Sequence, residues 1–189
     1  MSTPAAGPAW SAEYPVAGAA ETQALAKRIG AQLRAGDLLV LTGELGAGKT
    51  TFTQGLGEGL GVRPGIISPT FVLVREHPSL GEGPDLVHVD AYRLQSDAEI
   101  DDIDLENTLD SSVTVVEWGR GRVEHLADSW LDISLHRSTG TGPAAGPSGA
   151  GDGGGSAAVV LDFDEPDETE DRLISIAAYG PRWASHGPF

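Results

Sequence analysis

The sequence predicts an α/β fold, a three-layer sandwich in which a mixed β-sheet lies between helices. Three observations lead there. Apolar runs of strand length alternate along the chain with segments whose apolar residues recur every four positions. One run, Asp37 to Thr42, passes straight into a glycine-rich turn and then into a helical pattern, the order of a strand–loop–helix unit. Carboxylates end two further runs, where open α/β sheets bind their ligands.

Taken in order, Met1 to Ala12 are rich in Ala, Pro, Gly and Ser and bury too little surface to offset ordering. They read as a flexible arm, residues 1–12, ahead of a main domain over 13–180 and a short tail over 181–189. Leu25, Ile29 and Leu33 then mark one stripe of a helix that begins near Glu21, with Thr22 as its predicted cap, and closes at Gly36. Asp37 to Thr42 is a buried-type strand. Phe52, Leu56 and Leu60 define a second helix up to Gly61, although Gly55, Gly57 and Gly59 each weaken it by about 1 kcal/mol relative to alanine. That helix needs tertiary support.

Phe71 to Val74 and Leu86 to Asp90 read as strands joined as a hairpin through a loop with Pro78, Gly81, Gly83 and Pro84. Ser96-Asp97-Ala98-Glu99 has the form of a capping box and opens an acidic helical stretch to about Leu109. Val113 to Val116 is a strand ending at Glu117, and Arg120 to Ala127 holds a short helical piece. Trp130 to Leu135, Ala158 to Phe163 and Leu173 to Ala178 are three more strands. Between the first two lies a Gly-rich insertion, residues 138–156, without a large apolar side chain, which reads as an expanded loop.

The turn after the first buried strand carries the chemistry. Gly43-Glu44-Leu45-Gly46-Ala47-Gly48-Lys49-Thr50 matches G-x-x-x-x-G-K-[ST], the P-loop pattern, so the fold predicted is P-loop NTPase-like. Glycines let the backbone curl until successive N–H groups point at a polyphosphate, and the next helix adds its electropositive end. The predicted nucleotide contacts are Glu44, Leu45, Gly46, Ala47, Gly48, Lys49, Thr50 and Thr51. Lys49 reaches the β- and γ-phosphates, and the Thr50 hydroxyl is placed to bind Mg²⁺. The only other lysine in the chain is Lys27. A guanine-reading [NT]-K-x-D sequence is therefore impossible, and a GTPase is disfavoured.

Two carboxylates follow strands. Glu117 is a candidate Mg²⁺ ligand beside Thr50, and Asp90 is a candidate to orient a water or accept its proton. Thr70, in Ser68-Pro69-Thr70-Phe71, sits where nucleotide-sensing loops contact the γ-phosphate. Trp118 is read as packing beneath the site or as a contact surface, with packing favoured. His88 shares a strand face with Asp90, but without a third ligand nearby it reads as a core histidine. Arg93 is the nearest arginine in sequence to Asp90; it reads equally as an exposed ion-pair partner.

Composition restricts the partners. The chain has 189 residues, 28 Asp plus Glu against 12 Lys plus Arg, and a net charge of −16. Such a surface repels nucleic acid and anionic membranes. There is no cysteine, hence no disulfide and no thiolate metal site. No run approaches the roughly 18 apolar residues of a membrane span and no basic-then-apolar leader is evident, so a cytoplasmic location is expected.

Four blocks together resemble one family. Gly43 to Phe52, Ser68 to Phe71, His88-Val89-Asp90-Ala91-Tyr92-Arg93-Leu94 and Val116-Glu117-Trp118-Gly119 stand in the order and spacing of TsaE, the bacterial ATPase of tRNA threonylcarbamoyladenosine synthesis. The resemblance covers residues 20 to 137. It implies a small ATPase that binds ATP or ADP with Mg²⁺ and works with TsaB-like and TsaD-like proteins, which modify N6 of adenosine 37 in tRNA. It implies Mg²⁺ binding by Thr50 and Glu117, a need for Asp90 in hydrolysis, and tRNA contact only through the partners. ATP turnover would reset the complex.

Two other readings stand beside it. In a small-molecule kinase Asp90 would activate a substrate hydroxyl; against it, no basic residue lies between Arg137 and Arg172, where a lid would need one. A nucleotide-gated scaffold without useful turnover would bind nucleotide tightly but assemble with partners regardless of Asp90.

Overall fold

A computed structural model of the chain describes residues 7–69, 73–94, 99, 103, 105–137 and 170–189. The strands are β1 (Trp10–Ala17), β2 (Leu38–Gly43), β3 (Val74–His77), β4 (Asp85–Asp90), β5 (Ser112–Glu117), β6 (Trp130–Arg137) and β7 (Asp171–Tyr179). The helices are α1 (Gly18–Gly30), α2 (Lys49–Leu60) and two single turns, α3 (Glu106–Leu109) and α4 (Pro181–Ala184), with a 3-10 turn at Glu124–Leu126.

Among the described residues, seven strands form one mixed sheet in the order β1-β7-β6-β2-β5-β4-β3. The centre is parallel, with β2 between β5 and β6 and β4 beside β5. β3 joins β4 as the expected hairpin, and β7 and β1 add antiparallel strands at the other edge. The expected α/β fold with a mixed sheet is therefore present. Buried β2 reads Leu38-Leu39-Val40-Leu41 because both faces are covered, as parallel strands require. Leu39 and Leu41 face the core under α1 and α2, whereas Leu38 and Val40 join a second cluster with Val87, Val89, Leu109 and Val123 on the opposite face.

α1 and α2 lie side by side, and glycine permits their closeness. A Cβ on Gly55 would stand 2.5 Å from the Gln23 carbonyl oxygen, and one on Gly59 would stand 2.2 Å from that of Lys27. The glycines that weaken α2 as an isolated helix thus let it press against α1, and packing supplies the support the sequence lacked.

Several expectations are corrected. The arm predicted over 1–12 already belongs to the sheet from Trp10, because Trp10, Ala12, Tyr14 and Val16 alternate inward and the whole strand pairs with β7. α1 begins at Gly18 rather than near Glu21. Thr22 does not cap it: its hydroxyl donates to the Gly18 carbonyl from within the helix at 2.9 Å, while Glu21 accepts the Ala17 amide at 2.7 Å.

The predicted tail over 181–189 is docked. Trp183 is fully buried, Arg182 pairs with Asp37 at 3.2 Å, and Phe189 lies edge-on to Trp10 with ring centroids 5.5 Å apart. The strand expected at Phe71 is described only from Val74 as β3. Thr70, the capping box at 96–99 apart from Glu99, the insertion 138–156 and the strand expected over 158–163 lie outside the described residues.

Candidate active site

The predicted P-loop joins β2 to α2. Gly46 and Gly48 adopt φ of 76° and 98°, a left-handed course that side chains resist. Gly48 caps α2, and among the described residues no side chain caps the opening amides of this 12-residue helix. A phosphate oxygen would supply a cap. Thr50 is half-buried at the start of α2, Thr51 is buried, and Glu44 and Leu45 are exposed at the rim.

Lys49 is only 5% exposed. Its Nζ donates to the loop's own carbonyls, Gly43 at 2.9 Å and Glu44 at 3.0 Å, and stands 4.3 Å from the Trp118 ring centroid. Burial lowers its pKa below the ordinary 10.5, while the charges of Glu117 and Asp90 push it the other way. The lysine is thus gathered with both carboxylates, which is the donor set a Mg-polyphosphate needs: one cation for the phosphates and acidic oxygens for the metal.

Asp90 and Glu117 are register partners on β4 and β5, so the sheet brings them together although 26 residues separate them. Asp90 is buried; its Oδ1 accepts the Tyr92 amide at 2.9 Å, and its own amide donates to the Leu73 carbonyl at 2.9 Å. Glu117 is buried too, and its Oε1 accepts a hydrogen bond from His88 Nε2 at 2.8 Å. Leu73 and Trp118 both take positive φ, 65° and 62°. Non-glycine residues in that region cost about 1–3 kcal/mol each and persist where surroundings fix them. Here Leu73 holds Asp90, and Trp118 is turned over Lys49.

Trp118 is therefore not core packing. It is half-buried, covers the lysine and meets the exposed Tyr92 with ring centroids 5.2 Å apart. His88 is buried as expected, but the Glu117 bond makes it part of the site; its i, i+2 spacing from Asp90 was the available signal. Arg93 is exposed on the turn after Asp90.

Sequence reading missed two arginines. Arg137 Nη2 donates to the Gly46 carbonyl at 2.9 Å, and the Arg172 side chain lies against Gly48. Their signal was long-range: each sits where β6 ends or β7 begins. Among the described residues no cluster of three His, Asp or Glu forms a ready-made metal cage. Mg²⁺ seldom uses one, since it keeps waters and takes one or two protein oxygens plus phosphate. Nor is any described helix long and apolar enough to cross a membrane.

Comparison with known proteins points to one family. A family model described as "Threonylcarbamoyl adenosine biosynthesis protein TsaE" matches residues 16–142. A tRNA threonylcarbamoyladenosine biosynthesis protein TsaE of Streptomyces coelicolor is 48% identical over 162 residues, covering 85% of this chain and 93% of its own. One of the same description from Bacillus subtilis is 41% identical over 119 residues, covering 62% and 73%. Among solved structures, Bacillus subtilis YdiB superposes with a TM-score of 0.60 at 29% identity, over 92% of this chain and 89% of the other.

Proposed function

The chain belongs to the TsaE family, and from that membership we propose that it is a Mg²⁺-dependent ATPase serving tRNA threonylcarbamoyladenosine synthesis. The observation that carries the reading is the convergence of Lys49, Asp90 and Glu117 at the mouth of a P-loop. Lys49 moves from the Gly43 and Glu44 carbonyls to the β- and γ-phosphates, while the opening amides of α2 take up the remaining charge. Thr50 and Glu117 hold Mg²⁺, which when bound neutralises charge developing on the phosphate oxygens. Asp90 orients the attacking water and accepts its proton as the bond to the γ-phosphorus forms, and ADP departs.

Turnover resets an assembly with TsaB-like and TsaD-like proteins, the latter carrying the transfer to tRNA. The charge of −16 supports leaving tRNA contact to those partners. A cytoplasmic location follows from that role.

The test combines the purified chain, candidate partners and Mg-ATP, and follows phosphate release and complex formation. Phosphate release that Asp90→Asn abolishes is expected, together with partner complexes that persist when ATP cannot be cleaved. Release only on addition of a small metabolite would instead indicate a kinase. Tight nucleotide uptake with partner assembly indifferent to Asp90→Asn would indicate a scaffold.

A further inference from the structure

Three buried nitrogens on the β3–β4 hairpin, Arg75 Nε, His77 Nε2 and His88 Nδ1, have no hydrogen-bond partner among the described residues. Register gathers them. Arg75 stands directly opposite His88 in the antiparallel pair, and His77, two residues further along β3, lies on the same face. His88 in turn pairs with Val115, two residues before Glu117, so the set shares the face of the sheet that α1 and α2 cover.

The nitrogens differ in what they can do. His88 gives its Nε2 proton to Glu117, so Nδ1 of the neutral ring can only accept. Arg75 Nε can only donate. Burial lowers the His77 pKa below the ordinary 6.5, so near neutral pH that ring is uncharged and keeps one N–H. The Arg75 charge is close enough to act on the same ring. Two donors thus accompany one acceptor.

The two rings do not bond directly. Their centroids are 6.4 Å apart, and a ring nitrogen lies about 1.1 Å from its centroid, which leaves the nitrogens at least roughly 4 Å apart. A direct hydrogen bond spans about 3 Å, whereas one water between two partners spans up to roughly 6 Å.

We propose that Arg75, His77 and His88 hold one internal water, which accepts from Arg75 Nε–H and His77 Nε2–H and donates to His88 Nδ1. A buried water makes about three hydrogen bonds to polar groups that would otherwise go unpaired, the number available here. It completes a hydrogen-bonded chain from His77 on β3 through His88 on β4 to Glu117 on β5. Glu117 decides which His88 nitrogen carries the proton, and the water keeps the ring from turning away. His77 is thereby a positioning residue for the carboxylate. That last step rests on the reading of Glu117 as a Mg²⁺ ligand, but the water site stands without it.

A crystal structure of the full-length chain without nucleotide or metal, at a resolution that shows ordered water, tests the site. Density within about 3.2 Å of all three nitrogens is expected. Rings in van der Waals contact with nothing between them, or nitrogens turned to other partners, would overturn it. A Mg²⁺ titration of ATP turnover tests the use of the site. His77→Leu is expected to raise the Mg²⁺ midpoint by about three-fold or more, and His77→Gln, whose amide still donates, by less than about two-fold. An unmoved midpoint for His77→Leu overturns the positioning role, and equal shifts for both variants overturn its hydrogen-bond basis. Should His77→Leu fail to fold by circular dichroism, the native density decides alone. A native chain without Mg²⁺-dependent turnover would sink the ATPase reading, while the water would still stand or fall by the density.

Discussion

His88 donates its Nε2 proton to Glu117 Oε1 across 2.8 Å, joining a fully buried imidazole on β4 to a buried carboxylate on β5. A carboxylate only accepts, so the ring proton sits on Nε2. The other nitrogen, Nδ1, is buried and has no hydrogen-bond partner among the described residues, which leaves Glu117 as the ring's anchor there.

Removing the ring should therefore disturb the proposed Mg²⁺ site before it disturbs the fold. For His88→Leu, loss of the hydrogen bond that orients the carboxylate proposed to bind Mg²⁺ should raise the Mg²⁺ concentration needed for ATP turnover by about ten-fold or more. His88→Gln keeps an N–H donor and should restore part of it. A Mg²⁺ titration of phosphate release reads the shift; a lowered melting temperature with an unchanged Mg²⁺ midpoint would reduce His88 to a structural residue.

Lys49 and Asp90 should separate binding from chemistry. Lys49→Ala removes the cation proposed to face the phosphates and should weaken ATP binding by about a hundred-fold, comparable to loss of one preorganised charge-stabilising group. Asp90→Asn should leave binding within a few-fold and lower kcat by about 10² or more. Isothermal titration paired with single-turnover hydrolysis distinguishes them. An Asp90→Asn chain that hydrolyses normally would remove Asp90 from the reaction.

Acid stability should depend on His77. Burial lowers its pKa below the ordinary 6.5, helped by His88 and by the Arg75 charge. The unfolded chain then takes up a proton at a pH where the folded chain does not, so stability is lost as pH falls from 6.5 towards the lowered folded value and levels off below it. The slope contributed by one such proton is at most about 1.4 kcal/mol per pH unit. Urea midpoints measured over that window should fall less steeply for His77→Gln than for the native chain, and identical slopes would refute the assignment.

Gly55→Ala should destabilise despite improving helix propensity. The propensity gain is about 1 kcal/mol, but the new Cβ would meet the Gln23 carbonyl oxygen at 2.5 Å and Ala26 Cβ at 2.8 Å. Overpacking of that kind costs about 1–3 kcal/mol and wins. Thermal unfolding of the variant checks the sign; a raised midpoint would mean that α1 and α2 separate at little cost.

Much of this was legible along the chain because it is local. The P-loop needs eight consecutive residues, and Asp90 and Glu117 reveal themselves by closing apolar runs. Composition misled where pairing decides structure. Trp10 to Ala12 look like a loose arm until β7 is seen to bond them, although Trp10, Ala12, Tyr14 and Val16 already alternate. Arg137 and Arg172 become neighbours only through antiparallel register, across a stretch that carries no strong spacing signal. Trp183 and Phe189 likewise gain their meaning from β1 and α1 residues far away in sequence.

The edge made by β1 and β7 sets an order of events during synthesis. β1 is translated first, yet its hydrogen-bonding mate is finished only at Tyr179, so a nascent chain must carry that opening segment unpaired while almost everything else emerges from the ribosome. The α1–α2 pair and the β2–β5–β4 centre are complete earlier, and domains tend to assemble as their parts appear. Ribosome-stalled chains ending before Asp171 should therefore leave Trp10 to Ala17 open to protease, and release of the last strand should close them in one step.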